Sequence, residues 1–131
     1  MKQNKGFTLI EMLVVVGMIG VLAAAVLTAL APSRNKARDS RVISDLNQLA
    51  AIAEVGFDGN EYPVDLAALK ALSGGDAVIA DIKTITKIDP IYNTDIAKFA
   101  VSSALPSGGK YCVDSAGKRK AGVDATGGIC P

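Results

Sequence analysis

The chain has 131 residues, about the size of one domain, and carries a net charge of +1. Charge so nearly balanced gives no global reason to expect nucleic acid or an acidic lipid surface as the partner. Histidine is absent, which excludes Ser-His-Asp and Cys-His catalysis and the HExxH metal motif.

The chain opens on "MKQNK", with Lys2 and Lys5, and then turns apolar. From Phe7 to Ala31 the only polar side chains are Thr8, Glu11 and Thr28. Roughly 20 apolar residues span a bilayer core, so this run suffices. Glu11 is the anomaly, because a carboxylate in hydrocarbon costs on the order of 3 kcal/mol at a helix centre. A secretory signal peptide would use Met12–Leu27 as its apolar region and cut after Ala29-Leu30-Ala31, but Pro32 follows that cut and Glu11 interrupts the run. A plain single-pass anchor explains the length, but neither Glu11 nor the cluster Ala23–Ala25.

A third reading accounts for more. The stretch "KGFTLIE", Lys5 to Glu11, resembles the processing site of type IV prepilins and pseudopilins. The resemblance is strong over Lys5–Leu27, extends more weakly to about Pro63, and is only general beyond. It implies that a prepilin peptidase cuts between Gly6 and Phe7 on the cytoplasmic face and methylates the new amino terminus of Phe7. Glu11 then stands fifth in the mature chain. The new α-amino group is cationic at neutral pH, one helical turn from Glu11 and within reach of the Glu11 of a neighbouring subunit. Desolvation offsets much of that attraction, so the expected contribution of Glu11 is assembly register. The alternative is that Glu11 simply lies in the headgroup layer. The motif requires a cytoplasmic N-terminus, although Arg34, Lys36, Arg38 and Arg41 follow the span and the positive-inside count points the other way.

The helical pattern continues past the span. Val42, Leu46, Leu49 (or Ala50), Ala53 and Phe57 recur at three- and four-residue steps, an amphipathic stripe. Only Pro32 interrupts, so one long helix is expected from about Phe7 to Phe57, bent where proline removes a hydrogen bond. Arg41 and Asp45 have the spacing of an i,i+4 ion pair. Gly17 and Gly20 are spaced GxxG rather than GxxxG. In the family a segment after such a glycine can unwind on assembly and commonly ends at a proline eight residues on; here that position is Thr28.

"DGNEYP", Asp58–Pro63, reads as the turn that ends the helix. "VDLAALKAL" reads as a short helix with Leu66, Leu69 and Leu72 inward, broken by "SGGD". "KTITKI", "KFAVSS" and "KYCVDS" read as short strands; in the second Phe99 and Val101 share one face of the strand, and in the third Tyr111 and Val113 do. The spacing of Ile82, Ile85 and Ile88 is equally helical. "IDP" and "LPSGGK" are turns. The expected fold class is α+β: a long N-terminal helix, transmembrane then amphipathic, packed on a small C-terminal head with short antiparallel strands.

Cys112 and Cys130 are an even pair behind a membrane-targeted N-terminus, which suggests one disulfide in an oxidising compartment, with two free thiols the alternative. The bridge would staple a small head through a glycine-rich loop, and the family's C-terminal disulfide loop lies similarly. No metal site is expected: two cysteines cannot build a four-ligand zinc site, and Asp76, Asp81, Asp89 and Asp95 do not form an EF-hand. "SGGK" lacks P-loop spacing. "KRK", Lys118–Lys120, reads as a solvated loop rather than a nucleic-acid contact.

Four segments are expected: a basic leader (1–6), a transmembrane or filament-core helix (7–31), its amphipathic continuation (32–57), and a head with a disulfide loop (58–131). The resemblance implies a structural subunit of a type IV pilus-like helical filament, without enzymatic activity or cofactor. It is expected first in the cytoplasmic membrane as a single-pass precursor and then in an extracellular or cell-surface filament. The partners implied are other copies of itself, the prepilin peptidase, an inner-membrane assembly platform and, indirectly, its ATPase. A major-type pseudopilin of a type II secretion or DNA-uptake system is the alternative within the family. A secreted or membrane-tethered monomeric binding domain is the alternative outside it.

Overall fold

The computed structural model describes residues 6–131; Gly6 is the one position of the expected leader among them, and Lys2 and Lys5 fall outside. Helix α1 runs Leu9–Val55 with Pro32 inside it. It starts two residues later than expected because Thr8 takes the N-cap position, and ends two earlier because Gly56 and Asp58 turn the chain. The chain divides into two compact units, the first ending at Arg34 and the second spanning Asn35–Pro131.

In the first unit the large apolar residues from Phe7 to Leu30 are exposed in the single chain. The helix is long and apolar enough to cross a membrane. Its interior hydroxyl is satisfied locally: Thr28 Oγ1 donates to the Ala25 carbonyl at 2.9 Å. That is the arrangement hydrocarbon demands, since an unpaired polar group there has no water to turn to.

The second unit has a conventional core. Val42, Leu46, Leu49 and Ala53 of α1 are fully buried and share one cluster with Leu69, Ile79, Ile82, Phe99, Val101 and Val113. Phe57 lies beyond the helix end, 38% exposed, with its ring 4.7 Å from that of Tyr62. The turn holds because Asp58 Oδ1 accepts from the Asn60 and Glu61 amides, both at 2.8 Å. Those bonds, Glu61's foremost, hold the Asp58 carboxyl below the usual range. Gly56 sits under neighbouring side chains: a Cβ there would lie 2.5 Å from Leu72 Cδ1 and 2.8 Å from Pro63 Cγ, so both would have to shift.

Helix α2, Leu66–Ala71, is capped by Asp65, whose Oδ1 accepts from the Ala68 amide at 2.7 Å. Leu69 is buried, and Leu66 and Leu72 are half-buried against the same core. Helix α3, Gly75–Thr86, begins where the sequence showed only a break. At Gly75 a Cβ would stand 2.0 Å from the Leu69 carbonyl oxygen, so "SGGD" lets α3 start against the end of α2. "KTITKI" is therefore not a strand: Lys83–Thr86 closes α3. Ile79 and Ile82 keep a three-residue step into the core, and Ile85 packs beside them. Thr84 and Thr86 are accommodated because their hydroxyls donate to the Ala80 and Ile82 carbonyls, each at 2.8 Å.

Four antiparallel strands follow in sequential order: β1 (Ile91–Asp95), β2 (Lys98–Ala104), β3 (Lys110–Asp114) and β4 (Arg119–Ala121). Strands β2 and β3 match the expected "KFAVSS" and "KYCVDS"; β1 and β4 were not anticipated. Strand alternation gives the sheet two faces. Phe99, Val101 and Val113 turn to the helices, while Ala100 and Cys112 turn away. The second face is covered by the C-terminal segment, where Ala125 and Cys130 pack on Ala100 and Cys112. The Ala125 amide donates to Ser102 Oγ at 2.9 Å, and Asn93 Nδ2 donates to the Ala125 carbonyl at 2.8 Å. The small residues Ala100 and Ser102 admit this close backbone approach. Strand β2 is thus covered on both faces.

Candidate processing and assembly site

Gly6 and Phe7 are exposed and precede the helix. The peptide between them lies before the helix. Thr8 is next, and its carbonyl accepts the first helical bond, from the Met12 amide at 3.3 Å.

Glu11 folds back onto Thr8. The Thr8 amide and hydroxyl both donate to Glu11 Oε2 at 2.8 Å, and the Glu11 amide donates to Thr8 Oγ1 at 3.2 Å. This is the reciprocal capping box T-x-x-E, which satisfies two orphan donors of a helix start. The carboxylate also lies at the positive end of the helix dipole. Glu11 therefore has a partner within its own first turn. From the sequence alone Glu11 is set against an amine at Phe7 or in the headgroup layer, and Thr8 does not enter. The signal was present as a threonine three residues before a glutamate at the head of an apolar run.

The head is pinned to its part of α1 by polar side chains. Ser107 donates from its amide to Asp39 Oδ1 at 3.0 Å and from its hydroxyl to Asp39 Oδ2. Arg119 Nε donates to Asn47 Oδ1 at 2.8 Å. Arg41 does not pair with Asp45; it reaches across to Asp81 with two 2.7 Å bonds. Asp45 instead faces the core side of α1 and is only 8% exposed.

Cys112 and Cys130 are joined in a disulfide across 18 residues. Buried Asp114 organises the loop they close. Its Oδ1 accepts from the Ala116 and Lys118 amides at 3.1 and 2.9 Å, and its Oδ2 accepts from the Cys130 amide at 3.1 Å. The three cations of "KRK" all have partners within the chain: Lys118 Nζ donates to the Cys130 carbonyl at 2.6 Å, Arg119 to Asn47, and Lys120 to the Pro131 carbonyl. Among the described residues there is no cluster of three metal-ligating side chains.

This N-terminal arrangement resembles that of prepilin-type precursors. Residues 1–27 match the family model described as the prokaryotic N-terminal methylation motif. Similar proteins include the type IV wide pilus major component PilA4 of Thermus thermophilus, 40% identical over 73 residues, covering 55% of this chain and 56% of that protein. They also include the type II secretion system core protein G of Klebsiella pneumoniae, 38% identical over 73 residues (55% and 52%), and that of Escherichia coli, 35% identical over 71 residues (53% and 49%). The chain spans about half the length of the curated relatives it matches. No solved structure matches it significantly. Its N-terminal region is similar to those of type IV pilins and pseudopilins.

Proposed function

We propose that the chain is a structural subunit of a type IV pilus-like helical filament, cut after Gly6 and assembled through its N-terminal helix. One observation carries the reading: a single N-cap residue separates the exposed Gly6–Phe7 peptide from an apolar helix whose first turn holds an acid. Residues 1–6 act as the leader and residues 7–31 as the span. Residues 32–57 continue the helix and residues 58–131 form the head.

The precursor sits in the cytoplasmic membrane by its apolar helix. Cleavage removes the leader and leaves an amine on Phe7, cationic at neutral pH and methylated by the same peptidase. Glu11 is already oriented at the helix start by Thr8. It can accept the amine of its own chain or of a neighbour, and a subunit docked out of step would leave both charges unpaired in oil. Exposed apolar side chains from Leu9 to Leu30 then find cover in equivalent helices. Because such contacts join different faces, they propagate a filament rather than close a ring. Peptidase, assembly platform and ATPase are separate proteins, and no catalytic role is assigned to this chain.

A second reading, a major-type pseudopilin of a secretion system, is supported by relatives named core protein G at identities close to that of the pilus component. Intact mass tests the shared claim. Loss of Met1–Gly6 with gain of one methyl group is expected; an uncut chain, or a cut after Ala31, overturns it. Electron microscopy of a sheared cell-surface fraction separates the two readings, since abundant long fibres containing this chain belong to a pilus.

A further inference from the structure

We propose that heads join edge to edge: the outer edge of β1 takes β4 of a second copy of this chain, so that one sheet runs on into the next. The inference rests on the filament reading and names a contact within it. Strands β1 and β4 are the two ends of the sheet. An edge strand carries a row of unpaired amides and carbonyls, and such a row accepts another strand through main-chain bonds.

The ladder fixes which groups those are. The Ser115 amide donates to the Phe99 carbonyl at 2.9 Å, so Phe99 directs its backbone to β3 and not to β1. Thr94, opposite Phe99 on β1, therefore turns its amide and carbonyl outward, and so does Tyr92 two residues before it. On β4, the Gly122 amide donates to the Lys110 carbonyl at 2.8 Å and the Asp114 amide to the Lys118 carbonyl at 3.1 Å. By the same alternation Arg119 and Ala121 face outward. Each edge thus offers two residues at a two-residue step.

Four strands alternate in direction, so β4 runs opposite to β1. Copies that share one orientation can continue the sheet as an antiparallel pair, with Ala121 opposite Tyr92 and Arg119 opposite Thr94. That register agrees with the charges. It sets Lys118 opposite Asp95 and Lys120 diagonal to it, all on the face that carries Ala100 and Cys112. On the other face it brings Arg119 to a groove of about 270 Å3 lined by Glu61, Tyr62, Val64 and Thr94. Glu61 and Asp95 are exposed, and neither forms an ion pair among the described residues. Lys118, Arg119 and Lys120 each spend one bond within their own chain and keep further N–H donors. Because the two edges differ, the contact repeats from copy to copy without closing.

The test treats sheared filaments with a carbodiimide, which joins a carboxyl directly to an amine in contact. In covalent multimers, mass spectrometry is expected to find Asp95 linked to Lys118 or Lys120. Within one chain β1 and β4 stand three strand spacings apart, about 14 Å, too far for such a link. Ala121→Pro removes an outward amide that the head's own ladder does not use. It is expected to abolish the link and leave the melting of the head unchanged. Filaments whose links never join β1 to β4 overturn the proposal alone. So does an undiminished link in a folded Ala121→Pro variant, or a link from Asp95 to a different protein. The unsubstituted chain decides the matter if the variant does not fold. Absence of any filament containing this chain overturns the filament reading, and this contact with it.

Discussion

The two units satisfy their polar groups over opposite distances in sequence. In the first, the side-chain bonds among the described residues close within one turn: Thr8 with Glu11, and Thr28 with Ala25. In the second, Asp39 meets Ser107 across 68 positions, Asn47 meets Arg119 across 72, and Arg41 meets Asp81 across 40. The apolar residues divide the same way. The first unit leaves its large hydrophobics exposed, whereas the second buries a shared core. A helix that settles its polar groups alone and leaves its oil uncovered is built for an apolar surround, first lipid and then, on our proposal, its own copies. The head is complete within one chain. Assembly and folding should therefore fail separately.

The largest expected effect breaks assembly alone. Glu11→Val should abolish filaments in the sheared fraction, because the Phe7 amine then has no acid to meet in oil. The melting of the head in the purified chain should not move. Polymers of normal abundance would remove Glu11 from the assembly argument. Next comes Gly75→Ala, which breaks the head alone. Its Cβ would lie 2.0 Å from the Leu69 carbonyl oxygen, so α2 and α3 must separate. We expect a loss of at least about 3 kcal/mol, read as a lower melting temperature of the head with the apolar helix intact.

The sequence was legible where one period or one motif acts alone. The amphipathic stripe Val42–Leu46–Leu49–Ala53 needed only the helical repeat, and Phe99 with Val101 only strand alternation. It was least legible where several signals competed. "KTITKI" is rich in β-branched residues, which favours a strand, yet its isoleucine spacing and two threonine back-bonds settle it as a helix. Strand β4 is three exposed residues that exist because Tyr111, Cys112 and Val113 offer them partners. No local pattern announces such a strand. Arg41 was assigned to Asp45 by spacing, but spacing does not know that α3 presents Asp81. At the N-terminus the motif points to Gly6, Phe7 and Glu11 by resemblance alone, whereas the Thr8–Glu11 capping box rests on a spacing, T-x-x-E, that any helix start can carry.

Removing the disulfide is a milder way to perturb the head. With Cys112→Ser and Cys130→Ser together, the chain-entropy model gives a cost of about 3 kcal/mol for a loop of this size. Exchange should accelerate first at the Ala125 and Cys130 amides, which lose the covalent tie that holds them on Ser102 and Asp114. The α1–α3 face should follow only on global unfolding. Simultaneous loss of both faces would show that the head has one cooperative unit and that the C-terminal segment is not a separable layer.

The smallest effect concerns Thr8, and it sharpens the contrast at its most local point. Thr8→Val keeps the branched shape and removes the hydroxyl that both donates to Glu11 and accepts from its amide. The bond from the Thr8 amide to Glu11 survives. Loss of an N-cap hydroxyl corresponds to about a fivefold change in the opening of the first turn. Amide exchange at Glu11 and Met12 in the micelle-bound precursor should speed up by that factor, and Thr8→Ser should restore it. The head should be indifferent, since no bond of the second unit involves Thr8. In the processed chain the effect should be smaller, because the Phe7 amine gives Glu11 a second partner and the hydroxyl becomes partly redundant. An equal acceleration before and after processing would mean that the amine and Glu11 of one chain do not meet. The pairing would then have to run between neighbouring subunits.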